Sequence, residues 1–211
     1  MSGYSIKSEM RQALDEHGYF LLPRAGRRVL VDALEDLGRV LHVEEVVVAP
    51  ESASLVKSER GLSLHTDHHR ADLILWYCIA QSDQGGETIL ADALAAVSTL
   101  SCDDQEVLKR VQLKEHSVFY GDNERHPLLW TKDGRIRVYY SYWMAESLSE
   151  AERTAFEAFA LAVEQGPKVT LRLAPGDILA IDNGRMLHGR ASISGSKERH
   201  LRRYWLETAL A

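Results

Sequence analysis

Two strands joined by a tight turn are predicted by Val169-Thr170-Leu171-Arg172-Leu173-Ala174-Pro175-Gly176-Asp177-Ile178-Leu179-Ala180-Ile181. In the first part apolar residues alternate with Thr170 and Arg172, which is the pattern of a strand with one buried face. Pro175-Gly176-Asp177 is a typical turn sequence. The second part is continuously apolar, as expected for a strand that is buried on both faces. Strands of these two kinds indicate a layered core that is mainly β.

The same patterns predict the other strands and helices of the chain. Further strands are predicted at 19–22, Leu73–Ala80, 117–120, 136–140 and 199–207. Helices are predicted at 5–17 and 27–41, in broken form at 94–111, and after the capping box Ser149-Glu150-Ala151-Glu152. Short strands with flanking helices predict a β-sandwich or jelly roll. No repeat or linker interrupts the pattern, so residues 1–211 are predicted to form one domain.

Composition and charge exclude several classes of protein. The 211 residues carry a formal net charge of −6, so nucleic acid and anionic membranes are not expected partners. Two cysteines cannot supply a thiolate zinc site. The apolar run Leu73–Ala80 is too short to cross a membrane, and the polar first 20 residues are unlike a signal peptide. We expect a cytoplasmic protein, and the oligomeric state is left open.

A candidate metal site is indicated by Leu64-His65-Thr66-Asp67-His68. In an extended chain His65 and Asp67 point to the same side, so both can reach one ion. The candidate third ligand is His188, which lies far along the chain in the stretch 182–190. Two histidines and one carboxylate that leave other positions open suit iron(II). A lone His-x-Asp match also arises by chance in a chain with nine histidines.

A second signal lies in the last predicted strand, where Arg199, Leu201 and Arg203 share one face. If that face points inward, two buried guanidinium groups need anions, because an unpaired buried charge is costly. A dicarboxylate ligand would supply one, since arginine binds carboxylates in a two-pronged fashion. The alternative is that both arginines pair with Asp or Glu, or lie on a wet edge.

With these residues in view, the chain resembles the taurine dioxygenase / clavaminate synthase-like superfamily of Fe(II)/2-oxoglutarate-dependent oxygenases. The matching order is His65-x-Asp67, then Gly85-Gly86-Glu87-Thr88, then Asp182-Asn183 with His188-Gly189-Arg190, then Arg199. The resemblance runs from about residue 17 to about residue 206 and implies a double-stranded β-helix (jelly roll).

The resemblance also implies roles for individual residues. His65, Asp67 and His188 match the ligands of Fe(II). Thr88 and Arg199 match the hydroxyl and guanidinium groups that bind the distal carboxylate of 2-oxoglutarate. Arg203 matches a second arginine that serves the co-substrate or an anionic substrate.

The implied activity is oxidation of an unactivated C–H bond with O₂ and 2-oxoglutarate, which releases succinate and CO₂. Related halogenases carry a small residue in place of Asp67, so hydroxylation, desaturation or cyclisation is expected instead. The expected substrate is a small molecule that bears a carboxylate, such as an amino acid or an intermediate of secondary metabolism. Two alternatives stay open: a catalytically silent jelly roll that binds a small acid, and a metal-dependent hydrolase with the same ligands.

Three further expectations concern residues near the motifs. Asn183 is interpreted either as a residue that orients the turn before His188 or, preferably, as an Asx turn. Trp143 is expected in the core. His68, His69 and Arg70 are expected in a solvated loop.

Overall fold

A computed structural model describes residues 3–49, 55–115, 117–122, 125–196 and 198–208. The helices are α1 (Gly3–His17), α2 (Gly26–Leu37), α3 (Ala93–Ser98), α4 (Cys102–Leu108) and α5 (Glu150–Gln165). The strands are β1 (Tyr19–Leu22), β2 (Arg39–Val47), β3 (Leu62–His65), β4 (Leu73–Ala80), β5 (Gln84–Gly85), β6 (Thr88–Asp92), β7 (Gln112–Lys114), β8 (Arg125–Pro127), β9 (Leu129–Lys132), β10 (Arg135–Val138), β11 (Val169–Leu171), β12 (Ile178–Asp182), β13 (Met186–Arg190), β14 (Ile193–Ser194) and β15 (His200–Glu207). Short 3₁₀ turns cover Leu55–Lys57 and Tyr142–Met144.

Two antiparallel sheets form the centre of the fold. Five strands follow the order β1-β12-β4-β15-β2, and four follow the order β11-β6-β13-β3. A core that includes Trp76 of β4, Leu90 of β6 and Met186 of β13 draws its side chains from both sheets. The predicted fold, mainly β with flanking helices in a jelly-roll arrangement, is confirmed.

Helices cover the outer faces of both sheets. On the five-stranded sheet, Met10 of α1 and Leu30 of α2 pack against Leu75 of β4. The other face of β4 contributes Ile74 and Trp76 to the core between the sheets. Because β4 is buried on both faces, its sequence is a continuous apolar run rather than an alternating one. Helices α3, α4 and α5 pack on the four-stranded sheet through a cluster that contains Leu187 of β13.

The predicted helix at 27–41 was wrong at its C-terminal end. Helix α2 stops at Leu37, and Leu41 lies within β2. Gly38 has a φ of 150°, and a Cβ at this position would lie 2.2 Å from the carbonyl oxygen of Glu207. The close approach of these two backbones requires glycine, and the chain turns there into a strand.

The predicted strand at 117–120 was also wrong. This segment is a turn in which the amides of Val118 and Phe119 donate to the carboxylate of Asp122. A side chain therefore takes the hydrogen bonds that a strand partner would have provided. In the described part of the chain, no helix is long and apolar enough to cross a membrane.

Candidate functional site

Neighbouring strands bring two distant histidines together. His65 ends β3 and lies directly across from His188 of β13 in the antiparallel register. Their ring centroids are 4.3 Å apart, and both residues are buried. His65 Nδ1 lies 2.8 Å from the carbonyl oxygen of Ser63. Since a carbonyl only accepts, Nδ1 carries the proton and Nε2 presents its lone pair to the site.

Asp67 completes this group from the segment that follows β3. Its backbone amide donates to Asn183 Oδ1 over 2.9 Å. Its carboxylate accepts hydrogen bonds from Arg203 Nη1 and from the indole Nε1 of Trp205, each at 2.9 Å. Because backbone and side chain are both held, the carboxylate has one fixed orientation in a buried pocket.

The three side chains are placed to share one divalent ion. Their candidate ligand atoms lie within 4.8 Å of one another. Asp67 Oδ1 is 3.9 Å from His65 Nε2, and Asp67 Oδ2 is 3.8 Å from His188 Nε2. Bonds of about 2.1 Å to a shared ion allow two ligand atoms to lie at most about 4.2 Å apart. The donor set of two imidazoles and one carboxylate therefore fits a metal with open coordination positions.

A second group with metal-ligand chemistry, His68, His69 and Glu115, fits an ion less well. His68 Nδ1 accepts the amide hydrogen of Arg70, so the proton of the neutral ring lies on Nε2. That nitrogen is 3.3 Å from a carboxylate oxygen of Asp122. The expectation of a solvated loop was wrong for His68, which is fully buried.

A buried arginine lies on the other side of His188. Arg199 is 5% exposed, and its Nε donates to the carbonyl oxygen of Gly86. Burial, reinforced by the nearby charge of Arg190, lowers the pKa of Arg199 to about 10, so the group stays protonated at neutral pH. Among the residues with described positions, no carboxylate pairs with Arg199. A buried cation in this state favours an anionic ligand.

The buried arginine faces a small cavity of about 40 Å³ that is also lined by Thr88, His188, Arg190 and Arg203. Thr88 begins β6 and is 6% exposed. Arg190 donates to the carbonyl oxygens of Val56, Ser58 and Arg60, and so fastens the segment 56–60 beside the cavity.

A larger adjoining cavity of about 280 Å³ opens beside the three candidate ligands. His65, Asp67 and Arg203 line it, together with Glu44 and Trp143. Arg203 forms ion pairs with both Asp67 and Glu44. Trp143 was expected in the core, but it is half-buried at this cavity, with its ring 5.2 Å from His65.

The structure thus places all six predicted site residues along two adjoining cavities. They are His65, Asp67, Thr88, His188, Arg199 and Arg203. The sequence reasoning missed Trp205 and Glu44, whose contacts join strands distant in the chain. It favoured a plain Asx turn for Asn183. The amide of this residue instead donates to carbonyl oxygens of the segment 67–71, and Asp182 makes the Asx turn with Gly184.

Comparison with known families and proteins gives a consistent result. The family model described as taurine catabolism dioxygenase TauD, TfdA family matches residues 5–205. Gamma-butyrobetaine dioxygenases from Homo sapiens and Pongo abelii are each 26% identical over 164 residues. Each alignment covers 66% of this chain and 42% of the relative, so the chain spans less than half the length of these relatives.

Solved structures share the fold. An asparagine oxygenase in complex with Fe(II), 2S,3S-3-hydroxyasparagine and succinate superposes with a TM-score of 0.79 at 17% identity, covering 97% of this chain and 80% of that one. The non-haem iron oxygenase OrfP in complex with Fe and alpha-ketoglutaric acid gives 0.79 at 18% identity, with 98% and 80% covered. At these identities the likeness establishes the jelly-roll fold.

We expect Asn183→Ala to lower the free energy of unfolding by about 1–3 kcal/mol or more, because it leaves the buried amide of Asp67 and nearby carbonyls without their partner. Urea denaturation measures the change. Gln12→Ala is the control, since it removes an exposed amide whose described hydrogen bond is to Glu16 and should change stability by less than about 0.5 kcal/mol. Equal stability of the two variants would contradict the role assigned to Asn183.

Proposed function

Because the chain belongs to the taurine catabolism dioxygenase TauD, TfdA family, we propose that it is an Fe(II)- and 2-oxoglutarate-dependent oxygenase. It oxidises an unactivated C–H bond of a small molecule by hydroxylation, desaturation or cyclisation, with O₂ as a co-substrate and succinate and CO₂ as products. The observation that carries the proposal is the buried group His65, Asp67 and His188 beside a buried arginine that lacks a carboxylate partner in the described chain.

In this proposal His65, Asp67 and His188 hold Fe(II), which when bound supplies the redox chemistry for O₂ activation. The chain's own contribution is orientation and exclusion of water. The contact of His65 Nδ1 with the carbonyl of Ser63 fixes the ring tautomer, and Asn183 fixes the segment that bears Asp67. Outer contacts of this kind orient metal ligands and raise metal affinity.

Arg199 and Thr88 bind the distal carboxylate of 2-oxoglutarate. Gly86 allows this arrangement, because a Cβ there would lie 3.0 Å from Arg199 Cδ, and the φ of 76° is one that glycine adopts readily. A hydrolase with the same three ligands would have no need of a dicarboxylate, so Arg199 favours the oxygenase. A catalytically silent binding protein would not require three buried ligands around one point, so the intact group favours an enzyme.

The substrate we propose is a small amino acid or a related zwitterion. Besides its contact with Asp67, Arg203 forms with Glu44 an opposed pair of charges that lines the larger cavity. A substrate carboxylate can bind Arg203, and an ammonium group of the same molecule can bind Glu44. A role in secondary metabolism, a cytoplasmic location and a single domain over 1–211 remain predictions.

We expect His65→Ala, Asp67→Ala and His188→Ala each to abolish turnover and to prevent formation of the visible charge-transfer band in an anaerobic titration with Fe(II) and 2-oxoglutarate. Each variant removes one of three protein bonds to the ion, and circular dichroism should show an intact fold. His200→Ala is the matched control, because His200 is a partly exposed residue that pairs with Glu45. A band of wild-type intensity in a triad variant would refute that ligand.

We expect Arg199→Ala to weaken 2-oxoglutarate binding by roughly 30-fold to several thousand-fold, since loss of one partner of a buried charge pair costs about 2–5 kcal/mol. Thr88→Val should have the smaller effect of one charged hydrogen bond, about 1.5–3 kcal/mol. Arg202→Ala is the control, because the neighbouring Arg202 is half-exposed and pairs with Glu45. Unchanged affinity in Arg199→Ala would place the co-substrate elsewhere.

Substrate recognition is tested by succinate formation across a panel of amino acids, simple carboxylates, amines and neutral compounds. We expect amino acids to stimulate wild-type turnover. Arg203→Ala should lose the response to carboxylates, whereas Glu44→Gln should lose the preference for compounds that also carry an ammonium group. A wild-type enzyme that responds only to neutral compounds would contradict the proposal.

A further inference from the structure

Trp205 contacts a candidate metal ligand without being one itself. It lies on β15, is 3% exposed, and donates its indole Nε1–H to Asp67 Oδ2 over 2.9 Å. Its position on the strand is two residues beyond Arg203, so both side chains emerge on the same face. That face contains Asp67, and the two donors therefore act on one carboxylate.

The two oxygens of Asp67 receive these donors unequally. Arg203 Nη1 lies 2.9 Å from both oxygens, whereas Trp205 Nε1 donates to Oδ2. Both oxygens also lie near the histidines, with Oδ1 3.9 Å from His65 Nε2 and Oδ2 3.8 Å from His188 Nε2. The two donors therefore fix the orientation in which the carboxylate faces these rings.

The indole is held firmly in this orientation. The ring centroid of His42, on β2, lies 5.1 Å from that of the indole, and the ring centroid of Phe119 lies 6.0 Å from it. The guanidinium of Arg203 lies 5.4 Å from the ring centroid, within the range of a cation–π contact. Because packing fixes the ring, the N–H group stays aimed at Oδ2 and acts as a preorganised donor.

We infer that Trp205 is a positioning residue that holds the carboxylate of Asp67 toward His65 and His188 and thereby preorganises the three side chains for a metal ion. The inference rests on the proposed function. Of the two donors Arg203 and Trp205, the carboxylate would keep only Arg203 without the indole N–H, and its orientation toward the histidines would be less strictly held.

The test variant is Trp205→Phe, which keeps an aromatic ring and removes the N–H group. Trp130→Phe is its matched control. Trp130 is half-buried, and its indole nitrogen has no hydrogen-bond partner within the described residues. Both substitutions therefore remove the same atoms, but only one removes a hydrogen bond to a ligand.

The measurements are anaerobic Fe(II) binding to the metal-free protein and titration of the Fe(II)-loaded protein with 2-oxoglutarate. We expect Trp205→Phe to bind Fe(II) about 10- to 100-fold more weakly, the usual effect of losing an outer contact to a ligand. We also expect a weaker charge-transfer band at equal 2-oxoglutarate, because the carboxylate beside the ion is no longer held in one orientation by the indole. Trp130→Phe should match the wild type in both measurements.

Wild-type behaviour of Trp205→Phe in both titrations would overturn the inference. If that variant does not fold, the indole N–H signals of the wild-type protein loaded with Zn²⁺ decide by NMR. The Trp205 N–H signal should shift on metal binding by more than the Trp130 N–H signal, whereas a Trp205 signal that does not shift would refute the inference. Failure of the wild type to bind Fe(II) at all would instead refute the proposed function.

Discussion

The arrangement of the whole site depends on the antiparallel pairing of β13 with β3. That pairing sets His188 across from His65, and the other edge of β13 pairs with β6, which begins at Thr88. A slip of one residue would turn His188 to the opposite face of the sheet, so the register is a strict requirement. Gly189 permits the close approach, because a Cβ there would lie 2.6 Å from the carbonyl oxygen of Leu62.

Charge is distributed differently in the two cavities on either side of this pairing. In the larger cavity Arg203 forms ion pairs with two carboxylates of the chain, Asp67 and Glu44. In the smaller one Arg199 has only the carbonyl of Gly86 as a described hydrogen-bond partner. The same residue type therefore serves two purposes. Arg203 orients a carboxylate of the chain itself and, in the proposed function, also meets the substrate carboxylate, whereas Arg199 is left for the carboxylate of the co-substrate.

Local patterns predicted the helices and six of the fifteen described strands, and they assigned two segments to the wrong element. Strand β4 and the capping box at Ser149 were predicted from their own residues and are confirmed, because double-sided burial and helix capping act over a few positions. The predictions of a helix to Leu41 and of a strand at 117–120 were wrong for different reasons. The helix ends because the backbone of Gly38 closely approaches Glu207, which is distant in the chain, whereas the side chain of the nearby Asp122 takes the amides of the turn.

The sequence by itself determined which residue types carry the chemistry and which of them share a face. His65 and Asp67 are two apart, and Arg199 and Arg203 are four apart, so the geometry of an extended chain places each pair on one side. Only the tertiary structure decided the partners: Glu44 reaches Arg203 from β2, and Trp205 reaches Asp67 from β15. Spacing along the chain carries no record of which strand becomes the neighbour in a sheet. These contacts exist because the hydrophobic core brings the strands together, and no local pattern in the chain encodes them.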